Sequence, residues 1–236
     1  MEVFAQKGVV RLSGPDARDF LQGQTTRDVR LLRGPAPLLF LNPKGQLEEG
    51  ATLFPDAEGF LLAPWGSPEG LLSRLERYIV FDQVRLELLP LFYLWTAEGE
   101  WLEEAPSQGA LGPSDWARWT LEQGLPHLLD LKGELPQVGG LEALVDRGKG
   151  CYVGQEIMAR TEGKAVHHHL VELEVLSPSP LGPLFLGQKE VGRLKRLEGK
   201  RARGVVRKEV PWGTELFSGE GRFVLLKEVR WSGQRL

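Results

Sequence analysis

Apolar and polar positions change period along the chain, and the change separates a mixed region from an all-strand one. Val9-Val10-Arg11-Leu12 alternates like a short strand, and Ser13-Gly14-Pro15-Asp16 then opens a helix, with Ser13 as cap candidate and proline early in the first turn. Ala17, Phe20 and Leu21 fall on one face of that helix, and Gly23 is placed to stop it. Residues 38–42 and 47–54 read as two strands closed by the turn Pro43-Lys44-Gly45-Gln46, and a third strand, 60–63, follows a turn at 56–59. Ser67-Pro68-Glu69 caps a helix whose Leu71, Leu72, Leu75, Tyr78 and Ile79 repeat at helical spacing. Residues 84–88 alternate as a strand, and 91–95 make another. Strands on both sides of a single helix predict an α+β unit with the helix packed on an antiparallel sheet. Residues 97–115, rich in Gly, Pro, Ser and acids, read as a connector, and a helical pattern resumes at Trp116 and ends at Gly124 and Pro126. From Leu170 onward only short strands between Pro/Gly turns remain, at 171–176, 191–194, 202–206, 215–217 and 223–229, the pattern of a small β-barrel or sandwich.

Composition narrows the class. At 236 residues, 42% hydrophobic and 26% charged, the chain has the make-up of an ordinary soluble globular protein, with room for one large domain or two to three small ones. Its single cysteine excludes an internal disulfide, so nothing points to an oxidising compartment. No apolar run follows a basic start, and no stretch approaches the ~20 apolar residues of a membrane span. The expectation is a cytoplasmic protein without membrane contact. One asparagine, two methionines and abundant Leu, Arg and Glu fit a thermophilic source or GC-rich coding.

Charge is unevenly spread. Residues 189–208 hold nine basic side chains (Lys189, Arg193, Lys195, Arg196, Lys200, Arg201, Arg203, Arg207, Lys208) against Glu190 and Glu198, inside a chain of net charge −3. Such a segment reads either as a solvated barrel face or as a patch that attracts RNA or an anionic polyglutamate tail. No aromatics interleave the charges as stacking platforms would. His167 and His169 would share a strand face, but two imidazoles without a third ligand do not make a zinc site, so no metal is predicted.

The candidate chemistry centres on Lys149-Gly150-Cys151-Tyr152-Val153-Gly154-Gln155-Glu156. A thiol between two glycines has backbone free to bend around it, and a cation two residues away favours the thiolate. The competing reading is a small buried apolar residue.

This string, with Arg160 four residues beyond Glu156, resembles the signature of the YgfZ family, folate-binding relatives of the glycine-cleavage T protein (aminomethyltransferase). A second block, Gly14 to Val29, carries Gln22, Gln24, Thr25, Thr26 and Asp28 and resembles the N-terminal signature of both groups. The hairpin Asn42-Pro43-Lys44-Gly45-Gln46-Leu47-Glu48-Glu49 is similar to the T-protein Asn-x-x-Gly-Gly-x-x-Asp-Asp, in which an aspartate acts near the folate nitrogen. Here Glu48 and Glu49 stand in its place, and one extra methylene moves each carboxylate by about 1.5 Å, where a shift of ~1 Å can cost ~100-fold in rate. Leu121-Glu122-Gln123-Gly124-Leu125-Pro126 resembles the Arg-x-Glu-x-Gly-x-Pro stretch of T proteins, with Thr120 where the family has arginine, and implies Glu122 as the pterin-binding carboxylate.

The resemblance implies a three-lobed fold around a folate cavity. Its lobes would be residues 1–32 plus 97–168, residues 33–96, and a C-terminal β-barrel of residues 169–236. It implies tetrahydrofolate or a one-carbon derivative as ligand, with Asn42, Gln24, Asp28, Tyr152, Gln155 and Arg160 as further contacts and Gly150, Gly154 and Glu156 as signature positions. The implied function is an accessory role in assembly or repair of iron–sulfur proteins, including tRNA-modifying enzymes. The alternatives are a folate-dependent one-carbon transferase, with Glu48 or Glu49 as acid/base and Cys151 assisted by Lys149 as nucleophile, or a basic-faced RNA-binding module.

Overall fold

A computed structural model describes residues 2–106, 108–233 and 235–236. The chain separates into two compact units. The first runs to Trp116 and takes in Ala143–Arg160 and the C-terminal Arg235 and Leu236; the second comprises Ala117–Glu142 and Thr161–Gly233.

The first unit is built on a six-stranded antiparallel sheet. Its strands are β1 (Phe4–Ser13), β2 (Ala36–Leu41), β3 (Leu47–Asp56), β4 (Gly59–Pro64), β5 (Arg85–Trp95) and β6 (Glu100–Glu103), in the order β2-β3-β4-β1-β5-β6. Helix α1 (Ala17–Gln24) follows β1, and α2 (Pro68–Glu76) links β4 to β5. The apolar stripes found in the sequence, Ala17, Phe20 and Leu21 on α1 with Leu71 and Leu75 on α2, bury against Val10, Leu12, Leu38, Phe40 and Leu62 of the sheet. Ser67 caps α2 as its sequence predicts, accepting a hydrogen bond from the Gly70 amide at 2.8 Å.

Three features differ from the sequence reading. β1 lies between β4 and β5, so residues 4–13 complete the sheet of residues 33–96, a boundary unlike the lobes read from the sequence. Residues 84–88 and 91–95 belong to one strand: the register along β1 shifts between Lys7 and Val9, opposite Leu89 and Phe92, and this bulge absorbs Pro90 without ending the pairing. The connector after Thr96 contains β6, which pairs Glu100–Glu103 with Trp95 back to Phe92. At the chain's end, the Arg235 guanidinium lies over the rings of Trp95 and Tyr93 and donates to the carbonyls of Pro64 and Trp65.

The second unit is a closed barrel of β7 (His168–Ser177), β8 (Pro183–Leu186), β9 (Lys189–Glu198), β10 (Arg201–Arg207), β11 (Glu215–Ser218) and β12 (Gly221–Glu228), ordered β10-β7-β12-β11-β8-β9. Closure leaves no free sheet edge. Its interior is packed by Val171, Leu173, Leu184, Val191, Leu194, Ala202, Val206, Leu216, Phe223 and Leu225. β8 has no counterpart in the sequence reading because it is only four residues long, begins with proline and alternates weakly. Helix α3 (Pro113–Glu122) crosses from the first unit to the second, and α4 (Leu128–Leu131) follows. His127 and Asp130 cap α4 reciprocally: the His127 ring nitrogen Nδ1 accepts from the Leu129 amide, and the Asp130 carboxylate from the His127 amide. Among the described residues no helix is long and apolar enough to cross a membrane.

Candidate functional site

The two signature blocks, more than a hundred residues apart in sequence, are stitched together in the first unit. Asp146 accepts from the Asp28 amide at 2.8 Å and from Arg27 Nε at 3.1 Å, and its own amide donates to the Thr26 carbonyl. Thr26 Oγ1 donates to the Leu144 carbonyl at 2.6 Å. The Gln22 side chain bridges the blocks, giving its amide hydrogen to the Lys149 carbonyl and accepting from the Val29 amide. Asp28 forms a bidentate pair with Arg30, whose guanidinium also reaches the Lys149 carbonyl at 3.1 Å. That hydrogen bonding holds the Asp28 carboxyl down to about 2.

Lys149 anchors the signature from within. Its ammonium donates to the Gln22 carbonyl and to the Thr25 carbonyl, and it sits 4.8 Å from the centre of the Tyr152 ring. Burial pushes its pKa down to about 8, against the pull of Asp28 and Asp146. The lysine charge is therefore engaged by backbone carbonyls of the partner block.

The next residues leave the surface of this anchor. Gly150 and Gly154 both have left-handed backbone, φ +98° and +86°. Gly154 is seated on the β2–β3 turn so closely that a Cβ there would lie 2.7 Å from the Asn42 carbonyl oxygen. Between the two glycines Cys151 is exposed and unpaired in any disulfide, while the Val153 amide donates to the Gly23 carbonyl at the end of α1. Helix α5 (Gln155–Thr161) follows. Gln155 is half-buried on it, and Glu156 and Arg160 form an exposed i,i+4 ion pair at 2.6 Å.

The hairpin beneath Gly154 holds the carboxylate candidates. Asn42 is a turn residue: its Oδ1 accepts from the amides of Lys44 and Gln46, and its Nδ2 donates to the Gln46 side chain. The β2–β3 register shifts here, with Phe40 opposite Glu49 and Leu41 opposite Leu47, so Glu48 is the extra residue of a bulge. Glu48 pairs with Arg74 at 3.3 Å and Arg77 at 3.5 Å, and Glu49 is buried. Arg74, 2% exposed, also donates to Gln24 Oε1 and to the Leu41 carbonyl, and stacks over Phe40 and Tyr78. Burial lowers its pKa, and Glu48 opposes that shift.

Arg74 was not singled out from the sequence, although a signal existed: it lies three residues after Leu71 and four before Tyr78, a guanidinium inside the apolar stripe of α2. Such a residue is buried only with partners.

Glu122 ends α3 in the second unit, exposed; its backbone carbonyl accepts from Arg201. The basic segment is largely neutralised within that unit. Lys189 pairs with Glu209, Lys195 with Glu134, Arg196 with Asp130, and Arg201 and Arg203 with Glu172. The consecutive histidines 167–169 take separate places: His167 is exposed, His168 lies on the outer face of the barrel, and His169 is buried against Trp212. No group of three or more His, Cys, Asp or Glu arranged for a metal ion occurs among the described residues.

Comparison with known proteins places these features. The fold matches the glycine cleavage system aminomethyltransferase T from Bartonella henselae with a TM-score of 0.69 over 99% of this chain and 87% of that one, at 16% identity. The architecture is thus of the T-protein class. Within it the chain is similar to proteins of the YgfZ family. It is 29% identical to an iron–sulfur cluster assembly factor IBA57 homologue of Cryptococcus neoformans, covering 66% of this chain and 61% of that protein. It is 27% identical to the tRNA-modifying protein YgfZ of Hamiltonella defensa, covering 68% and 65%, and 28% identical to mouse IBA57, covering 75% and 65%. The chain thus spans less than two thirds of the length of these relatives. No family model matches it.

Proposed function

We propose that this chain is a cytoplasmic, tetrahydrofolate-binding accessory protein for the assembly or repair of iron–sulfur proteins, with tRNA-modifying enzymes among its clients. The observation that carries the reading is the thiol of Cys151, held exposed on a turn that Gly150, Gly154 and the buried Lys149 fix in place. A single thiolate cannot cage a cluster that takes four, so its role is transient: a ligand shared with a client, or a mixed disulfide. The names of the YgfZ and IBA57 relatives support the same reading.

The fit to folate rests on Glu122. Its exposed carboxylate, without a side-chain partner among the described residues, can accept two parallel N–H donors from a 2-amino-4-oxopyrimidine. Asn42 and Asp28 already engage their side-chain polar atoms within the first unit and so act there as positioning residues, while Gln24 accepts from Arg74 through its Oε1. Tyr152, Gln155 and Arg160 belong to the first unit and remain candidate folate contacts there. The one-carbon transferase is the second reading. The ion pairs from Glu48 to Arg74 and Arg77 weigh against it, because they engage that carboxylate within the protein.

Calorimetry with tetrahydrofolate is the test. The wild type should bind with Kd below ~100 μM, and Glu122→Ala should weaken binding by about tenfold or more. An unchanged constant removes the pterin assignment. Cys151→Ser should keep folate affinity while failing to restore iron–sulfur enzyme activity in a strain lacking the protein; full complementation would overturn the thiol's role. Folate-dependent formaldehyde exchange that disappears when Glu48 and Glu49 are both changed to Gln would favour the transferase instead.

A further inference from the structure

The barrel carries a groove that the folate reading does not use. A cavity of about 320 Å³ opens on the outer face of the second unit, lined by Glu134, His168, Glu190, Val191, Gly192, Arg193, Val205 and Arg207. Strand register explains why cations converge there. Arg193 on β9 lies opposite Val205 on β10, Arg207 is two residues farther along the same face, and His168 on β7 is directly opposite Arg207. Arg193 and Arg207 are therefore diagonal neighbours, roughly 7–8 Å apart at the backbone, a distance that long side chains close.

Their chemistry differs from that of the other arginines and lysines of β9 and β10. Lys189, Lys195, Arg196, Arg201 and Arg203 each take a carboxylate partner. Neither Arg193 nor Arg207 has a side-chain hydrogen bond or ion pair among the described residues. Of the two acids in the groove, Glu134 is held by Lys195 at 2.6 Å, which leaves Glu190 as the acceptor. The groove thus joins two guanidinium groups to an apolar floor and one carboxylate, within a volume suited to a small ligand. Two guanidinium forks match the oxygens of a phosphate, and a lone carboxylate matches hydroxyl or amine donors.

We propose that this groove binds a nucleotide, with Arg193 and Arg207 on the phosphate, the His168 ring beside it, and Glu190 accepting from sugar hydroxyls or a base amine. The nucleotide is either free or part of an RNA strand, since both present this chemistry.

The test measures binding of 5′-AMP by calorimetry and of a short single-stranded RNA by fluorescence anisotropy, both at low salt, on the full chain. Arg193→Gln and Arg207→Gln are compared with Lys200→Gln and Lys208→Gln, exposed lysines of the same segment outside the groove. Binding of AMP that falls about tenfold in each arginine variant and stays constant in the lysine variants identifies a free-nucleotide site. Binding of RNA alone, with the same pattern, identifies a strand site. Absence of binding of both probes up to about 5 mM overturns the proposal, as does equal weakening by all four substitutions, which would mean diffuse attraction to charge. Glu122 and Cys151 do not line the groove, so its failure leaves the folate reading intact.

Discussion

Arg196→Ala should lower stability by about 3–5 kcal/mol in urea denaturation, the range for removing one partner of a buried ion pair. The Asp130 carboxylate is fully buried, and Arg196 meets it in a two-point contact at 2.5 and 2.8 Å while also donating to the Ala117 carbonyl. Burial pushes the Asp130 carboxyl above its ordinary range, with the Arg196 guanidinium pulling against that shift. Without Arg196 the upward push is unopposed by its nearest cation. The folded variant then holds a proton at Asp130 that the unfolded chain releases near pH 4, so its stability falls as pH rises through the raised value. The deficit relative to wild type should accordingly be smaller at pH 4.5 than at pH 8. The Arg222–Glu215 pair provides the control. It is also 2.5 Å long and lies in the same barrel, but it is exposed, and Arg222→Ala should leave the denaturation midpoint unchanged within error. Equal effects of the two substitutions, or a deficit independent of pH, would contradict the buried-pair account.

This pair also marks how far the sequence could be read. Arg196 was visible only as one of nine basic residues, because nothing in a run of charges tells which side chain turns inward. Its partner sits 66 positions earlier, in a four-residue helix too short to leave a periodic signal. The barrel itself was legible from its Pro/Gly-punctuated strands, and the helices α1 and α2 from their apolar stripes. Strand partners were not. The alternation of residues 9–12 announces a strand, but only the assembled sheet puts β1 between β4 and β5, since that choice depends on burial across fifty or more residues.

The candidate site divides in the same way. The signature around Cys151 and the block around Gln22 to Asp28 were both evident as strings that resemble one family. How they join was not evident. Lys149, two positions from the thiol in sequence, directs its ammonium to the carbonyls of Gln22 and Thr25, a contact between segments over 120 residues apart. The same holds for Gln24, whose side chain meets Arg74, 50 residues away. Local spacing carries information about a residue's neighbours on its own element, and these contacts run between elements.

Gly154→Ala should be among the most damaging single changes in the first unit. Its backbone lies at φ +86°, where a residue with a side chain is strained by about 1–2 kcal/mol. The added Cβ would also meet the Asn42 carbonyl oxygen at 2.7 Å, Leu41 Cβ at 3.0 Å and Gly45 Cα at 3.1 Å. None of these can swing away, because the Asn42 carbonyl accepts from the Gly45 amide at 2.9 Å and the Asn42 amide donates to Gln46 at 2.9 Å. Overpacking against fixed backbone adds about 1–3 kcal/mol, giving a total of roughly 2–5 kcal/mol. Relief requires the signature to lift off the hairpin, which would carry Cys151 with it. Gly150→Ala separates the two contributions: its φ is +98°, but nothing lies within 4 Å of the added carbon, so it should lose only the conformational part. Urea denaturation of both variants checks the ranking, and proteolysis near residues 148–156 checks the site of damage. If Gly150→Ala proves as costly as Gly154→Ala, the close seat of the signature on the β2–β3 turn is not what holds the thiol in place.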